Sequence, residues 1–436
     1  MIILFFSAIL SFAQTPTTIE KSINDCPPHS KKVVAKDKSF VCKIKKKGKL
    51  IPMTQAELDE AWSAILPGAM PPAFSKLFSP KTDKIKELEI DSFNHCYLTQ
   101  TGKMKCWGEN LSGSIGNNTT VKSFTPIEIN LQEIKQVRRR GDTTCALVNP
   151  GNLKCWGGYF DDTIKDGEIS RTLEHEKMIA PIELKTPGIV QDFSLGGDFK
   201  CIVSDGKAYC SGRNAQGELG NGELSAEYTD WLEVKGLSKG VNKVVSALHH
   251  SCALMDSGKV KCWGSNVDGA LGSIDKSVLG PIEITGLENV KTIGLGNKFS
   301  CVLLKAGNVK CWGSPEFLGI GSEEKKNIVT PTLVSGLDTG VLQLSVRDDS
   351  SCALLVSGEV RCWGQNNLAQ LGDGTREKRA IPVVVKNLES ADLIAVGKEK
   401  SCAVQKDNKM KCWGVSPTSE SSKVVVNETA QEVFGQ

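Results

Sequence analysis

SCALMDSGKVKCWGSN, residues 251–266, is one of seven segments in this chain that run Cys, eight or nine residues, then Cys, and in six of them Trp-Gly follows. The first cysteines are Cys96, Cys145, Cys201, Cys252, Cys301, Cys352 and Cys402, a period close to fifty residues. A repeat of that length, with several short strands per copy, reads as a propeller and not as a string of separate domains. Working outward from the hairpin, each copy opens on an apolar strand, such as 290–295. The Cys hairpin follows, then a loop often spelled G-x-L-G, and a segment such as PIEITGL from Pro281 closes the unit. The expectation is an all-β, seven-bladed β-propeller with four-stranded blades. The last copy would take its fourth strand from 423–426, and which strand seals the ring is left open.

The hairpin register follows from the turn. Placing Cys252 opposite Cys262 puts Leu254 opposite Val260 and leaves Asp256-Ser257-Gly258 as the loop. A three-residue hairpin loop needs a left-handed third residue, which Gly258 supplies. Gly102, Gly151, Gly307 and Gly358 take that place in other copies, and Asn408 in the last. In the third copy the cysteines are one residue closer, and the loop shrinks to Asp205-Gly206, a favoured two-residue pair. The same register pairs Leu98 with Met104, Leu147 with Leu153, Val203 with Ala208, Leu303 with Val309, Leu354 with Val360 and Val404 with Met410. Opposed cysteines on antiparallel strands lie within disulfide reach. The expected bridges are Cys96–Cys106, Cys145–Cys155, Cys201–Cys210, Cys252–Cys262, Cys301–Cys311, Cys352–Cys362 and Cys402–Cys412. Of sixteen cysteines this leaves Cys26 and Cys42 for each other. Zinc sites favour C-x2-C knuckles, so the pairs do not read as metal ligands and no metal or cofactor is expected. On the other face of the strand, Lys261 and Trp263 flank Cys262. The third copy has Tyr209 and Ser211 instead, so Tyr209 is expected to replace the missing ring. The tryptophans read as packing between blades.

The formal net charge of +3 gives no argument for nucleic acid. Many paired cysteines point to an oxidising compartment. MIILFFSAILSFAQT at the start has a short apolar run and small residues at Ser11 and Ala13, so residues 1–13 are expected to be a signal peptide. No later stretch approaches the length of a membrane span. Residues 14–80 read as a small basic module. Nine lysines face one acid between Lys31 and Lys49, a strand pair is expected at 40–44 and 49–53, and a capping box of Thr54 and Glu57 precedes a helix over 55–66. Residues 81–436 are the propeller. The protein is expected to be exported, whether periplasmic, at the cell surface or secreted, and monomeric, with no transmembrane segment in the mature chain.

The pattern CAL…G-x-V-x-C-W-G-x-N…G-x-L-G resembles the regulator of chromosome condensation repeat family, in its exported bacterial branch. The resemblance runs from about Lys84 to Val426. SCALMDSGKVKCWGSNVDGALG from Ser251 and SCALLVSGEVRCWGQNNLAQLGDG from Ser351 are close copies. It implies a seven-bladed propeller. The second and seventh copies lack the G-x-L-G loop, the fifth reads SPEFLGIGS from Ser314, and the second carries a polar insert at 159–177. The family includes a nuclear exchange factor, secreted inhibitors of β-lactamases and many protein-binding propellers. These members share a scaffold and not a site, so no functional residue carries over.

A binding face on a repeat scaffold shows as positions that differ among copies. Two residues before each hairpin strand do so: Phe93-Asn94, Asp142-Thr143, Asp198-Phe199, His249-His250, Lys298-Phe299, Asp349-Ser350 and Glu399-Lys400. They are expected to ring one end of the propeller and to recognise a protein partner. A second reading is a structural or adhesive envelope component held on anionic polymer by the basic module. A third is a glycan-acting enzyme using Asp142, Asp198 and Asp349, with His249-His250 beside them. Surface turns favour Asp for conformational reasons and no nucleophile or metal motif occurs, so a non-enzymatic binder is the expectation. Arg138-Arg139-Arg140 adds a basic patch.

Overall fold

The computed structural model describes residues 83–433 other than 92, 159–162, 166–167, 171–177, 276, 322–325 and 418–423, together with three strand segments nearer the N-terminus. The chain divides into two compact units, Met1–Thr82 and Asp83–Gln436. In the first, β1 (Lys31–Val34), β2 (Phe40–Lys46) and β3 (Lys49–Pro52) form an antiparallel sheet in chain order. The expected strand pair is present, with Lys45 opposite Leu50. A preceding strand that sequence reading did not place joins it. The leader expected at 1–13, the helix expected at 55–66 and the expected Cys26–Cys42 bridge lie outside the described residues.

The second unit is a seven-bladed propeller of four-stranded antiparallel sheets, each made from four consecutive strands. Blade 4 comprises Val241–Ser246, His250–Met255, Val260–Ser265 and Ser277–Glu283. The first strand of every blade lines a central channel. Blade 1 starts at Ile85–Ile90 and blade 7 ends at Val424–Glu432, so no strand crosses over to seal the ring. Side chains close it instead. Leu88, Ile90 and Trp107 of blade 1 pack with Val404, Met410 and the Cys402–Cys412 bridge of blade 7. Asn408 Oδ1 accepts the Ile85 N–H at 3.0 Å.

Fourth strands begin earlier than the sequence suggests. In blade 4 the strand ends at Glu283, and Ile284 and Leu287 turn inward to join the core. The last blade's fourth strand runs to Glu432, well past 426. Blade 2, interrupted by its insert, keeps only Ile182–Glu183 as an outer strand.

All seven hairpin bridges have the expected partners. Their Cα atoms lie 4.0–4.1 Å apart. Met255 N–H donates to the Lys259 carbonyl. By alternation Cys252 and Cys262 then occupy a non-hydrogen-bonded site, where opposed side chains approach most closely. The apolar pairs fall in register. Gly258 has φ +80°, Asn408 +70°, and Asp205 and Gly206 are both left-handed, as their turns require. Gly151 is the exception. Its φ is not positive, and the turn carries a cis Asn149–Pro150 bond.

The core is divided among seven clusters, one at each interface between blades. Alternation along the third strand sends Cys262 towards blade 5, where it meets Trp312, and Trp263 towards blade 3, where it meets the Cys201–Cys210 bridge. Each interface therefore joins a disulfide from one blade to an aromatic residue from the next. Between blades 2 and 3 the pattern departs in both partners at once. Blade 2 lacks the loop and blade 3 lacks the strand tryptophan. Tyr209, expected to replace the ring, packs at the edge of this cluster together with Trp231 from the outer strand. Trp231 takes the hydrogen-bonding role, its Nε1 donating to the Lys185 carbonyl at 2.8 Å.

Candidate functional site

The end of the propeller where hairpin strands begin is built by the repeat motif itself. In C-W-G-x-N, the asparagine side chain folds the loop that follows. Asn266 Oδ1 accepts the Leu271 N–H at 2.7 Å, and its Nδ2 donates to the Ser273 carbonyl at 2.8 Å and also to that of Asp275. Asn110, Asn214 and Asn366 repeat the bond to the main chain. The folded loop then offers a carbonyl to the next blade's tryptophan. Trp156 donates to Ser114, Trp263 to Glu218, Trp312 to Ala270, Trp363 to Phe317 and Trp413 to Gln370, at 2.8–3.1 Å. The fifth copy's altered loop keeps this bond through a short 3-10 turn, Pro315–Phe317. Gly220, with φ +63°, lies against the Trp263 ring where a Cβ would collide.

The seven varying pairs sit at this same end, and burial splits them. The first residue of each pair reaches the surface: Phe93, Asp142, Asp198 and Lys298 are exposed, and His249, Asp349 and Glu399 partly so. The second enters the hairpin strand between blades. Asn94, Phe199, His250, Phe299, Ser350 and Lys400 are buried, and Thr143 is half-buried. Asn94 Oδ1 accepts the Asn110 N–H at 3.0 Å, and Phe299 stacks on Phe317 with ring centres 5.7 Å apart. The second residues therefore belong to the scaffold. Leu111 and Val267, 68% and 69% exposed, follow the loop asparagines and share this end. Their positions vary between copies, a signal that counting the loop as framework concealed.

Two of the three aspartates are engaged locally, while Asp349 Oδ1 is buried without a partner among the described residues. Asp142 accepts from Ser112 Oγ at 3.0 Å and from Asn94 Nδ2 at 3.5 Å. Asp198 pairs with Arg213 at 3.7 Å. His249 Nδ1 lies 3.5 Å from Glu218. Burial, with Asp348 and other acids nearby, pushes the Asp349 carboxyl up. Burial and the Arg140 charge hold the His250 imidazole down at about 3.

The channel encloses about 490 Å³. Its lining strands have a free edge, an arrangement that invites unwanted pairing unless covered. Side chains from the preceding blade cover it. Glu87, Glu89 and Asp91 accept the N–H groups of Val137, Arg139 and Gly141. Asp192 and Ser194 accept those of Val244 and Ser246, and Gln343 and Ser345 those of Ile394 and Val396. The three arginines at 138–140 therefore line the channel and are not a surface patch. Burial opposes the Arg138 charge, but Glu87 and Glu89 outweigh it and raise its pKa. Arg140 Nη2 crosses to Asp348 and Asn297, each at 3.4 Å. Arg347 crosses the other way, to Asp91 at 3.1 Å and the Arg139 carbonyl at 2.9 Å. Two guanidinium bridges thus span the mouth at the loop end. No group of three or more His, Cys, Asp or Glu suited to a metal lies among the described residues. No described helix is long and apolar enough to cross a membrane.

The model of the regulator of chromosome condensation (RCC1) repeat matches residues 242–270, 290–317 and 357–404. The E3 ubiquitin-protein ligase HERC2 of Homo sapiens is 28% identical over 231 residues, which cover 50% of this chain and 5% of the ligase. The regulator of chromosome condensation of Drosophila melanogaster is 24% identical over 329 residues, 71% of this chain and 59% of the fly protein. The chain therefore spans less than two thirds of either relative. Yeast RCC1 (Prp20), solved bound to Kap60, superposes with a TM-score of 0.64 at 17% identity, covering 81% of this chain and 86% of that one. At that identity the likeness concerns the fold alone.

Proposed function

This chain belongs to the regulator of chromosome condensation repeat family, and from that premise we propose that it is a non-enzymatic binding module whose loop end recognises a protein partner. One observation carries the reading. Repeating residues are spent on the scaffold, and the residues left at the loop-end surface, Phe93, Asp142, Asp198, His249, Lys298, Asp349 and Glu399, are those that fail to repeat. A rigid rim carrying varied side chains is the usual arrangement for recognition by loops. Exposed Leu111 and Val267 add apolar contact area beside the charges. The local pairing of Asp142 and Asp198 with their own neighbours supports binding over acid–base work.

Seven bridges closed within hairpins favour an oxidising compartment, so we place the protein outside the cytosol. The ligase activity named for HERC2 is not carried over, because the matched stretch covers so little of that protein. The test is affinity capture from cell-envelope and extracellular extracts with the oxidised chain. Three baits are compared: the native protein, a loop-end variant (Asp142→Ala, Asp198→Ala, Glu399→Ala), and a variant altered at the hairpin turns of the opposite end. A partner retained by the native and opposite-end baits and lost by the loop-end bait supports the reading. Capture that salt alone releases, and that disappears with residues 14–80, would favour envelope attachment through the basic module.

A further inference from the structure

We propose that the loop-end mouth of the channel binds a small oxyanion, a carboxylate or a phosphate, on the buried basic cluster of Arg139, Arg140 and Arg347. Arg347 lies near enough for its charge to act on both Arg139 and Arg140. Arg347 donates to the Arg139 carbonyl at 2.9 Å and to Asp91 at 3.1 Å, and Arg140 reaches Asp348 at 3.4 Å. Asp91, Asp142, Asp348 and Glu89 counter these charges from nearby, but they leave some of the guanidinium donors unbonded. Arg139 is 2% exposed, and its Nε and Nη1 make no hydrogen bond among the described residues; nor does Arg347 Nε. Buried charges and donors persist only when partnered.

Two further buried groups lie close by. Lys400 is 4% exposed, and burial brings its pKa down to about 8. His95, 1% exposed, has both ring nitrogens without a partner among the described residues. Burial, then the charges of Lys400 and Arg139, hold its pKa well below the usual value. Burial likewise lowers Arg139 and Arg140 to about 10 each, more than the nearby carboxylates restore. A ligand that satisfies these unbonded N–H donors must offer acceptor atoms. A carboxylate or phosphate presents oxygens that match guanidinium donors in charge and geometry. All three arginines line the channel cavity, which gives a small anion a place beside them.

The test is calorimetric titration of the full oxidised chain at pH 7 with sodium phosphate and, separately, sodium acetate. Each is compared with sodium chloride at equal ionic strength. Saturable binding of phosphate or acetate beyond chloride is expected, and the stronger of the two identifies the oxyanion. Arg139→Gln should weaken it about tenfold or more while the protein still melts cooperatively, and Arg347→Lys should weaken it less. If Arg139→Gln does not fold, the comparison rests on Arg347→Lys and the native protein. Heats indistinguishable from chloride up to about 20 mM, well above the range of a specific site, would overturn the proposal. So would native affinity in every variant that folds.

Discussion

Trp263 meets two demands with one side chain. Its ring fills the interface between blades 3 and 4, and its indole N–H satisfies the Glu218 carbonyl of the loop beneath. Replacing it by Phe keeps most of the apolar area and removes the bond, so a loss of about 1 kcal/mol is expected. Trp263→Ala leaves a cavity as well and should cost about 3–5 kcal/mol. Denaturant melts of both variants check the ratio, and equal costs would mean that the hydrogen bond contributes nothing. His250 makes a different prediction. Its folded pKa, about 3, lies below the ordinary value of 6.5, so between these limits the unfolded chain binds more protons. The stabilisation is complete above pH 6.5 and is lost as pH falls towards 3. His95, shifted in the same direction, adds to the slope. Each histidine contributes up to about 1.4 kcal/mol per pH unit in that window. Stability measured from pH 7 to 4 should therefore decline less steeply in His250→Gln than in the native chain.

Hairpins were the most legible elements in the sequence, because turn chemistry, cysteine spacing and apolar alternation all fix one register. Asp205-Gly206 with its shortened Cys201–Cys210 spacing shows the three acting together. Outer strands were less legible. PIEITGL looks like one strand, yet its second half turns inward because Ile284 and Leu287 gain burial in the core. At the candidate site, the sequence marked the varying pairs but could not separate surface from interior, since Asn94, His250 and Lys400 are polar and nonetheless buried. The three arginines read as a patch because their acceptors lie about fifty or about two hundred residues away. Each bridge joins cysteines nine or ten positions apart and contributes about 3 kcal/mol in the chain-entropy model. Changing Cys252 and Cys262 together to Ala should lower stability by about that amount, read as a shift in denaturant midpoint with native-like circular dichroism. A much larger loss would show that the bridge also holds the interface to Trp312.

At the scale of the whole molecule, every joint sets a disulfide against a ring from the next blade, and the joints after blades 2 and 7 lack the folded loop. Between blades 2 and 3 the loop and the strand tryptophan are missing together, and Trp231 restores the contact from the outer strand. The ring closes through side chains without strand exchange, so every blade keeps its own four strands. One end is built of short hairpin turns. The other carries folded loops, the surface residues of the varying pairs and the arginine-bridged channel mouth. Recognition by this second end is the account's central claim, and the most direct test is a binding isotherm for the captured partner. The loop-end variant Asp142→Ala, Asp198→Ala, Glu399→Ala should bind at least about thirtyfold more weakly at an unchanged melting temperature, the size expected when an interface loses a principal contact. The opposite-end variant should bind like the native protein. Equal binding by the loop-end variant, with loss in the opposite-end variant, would contradict the account.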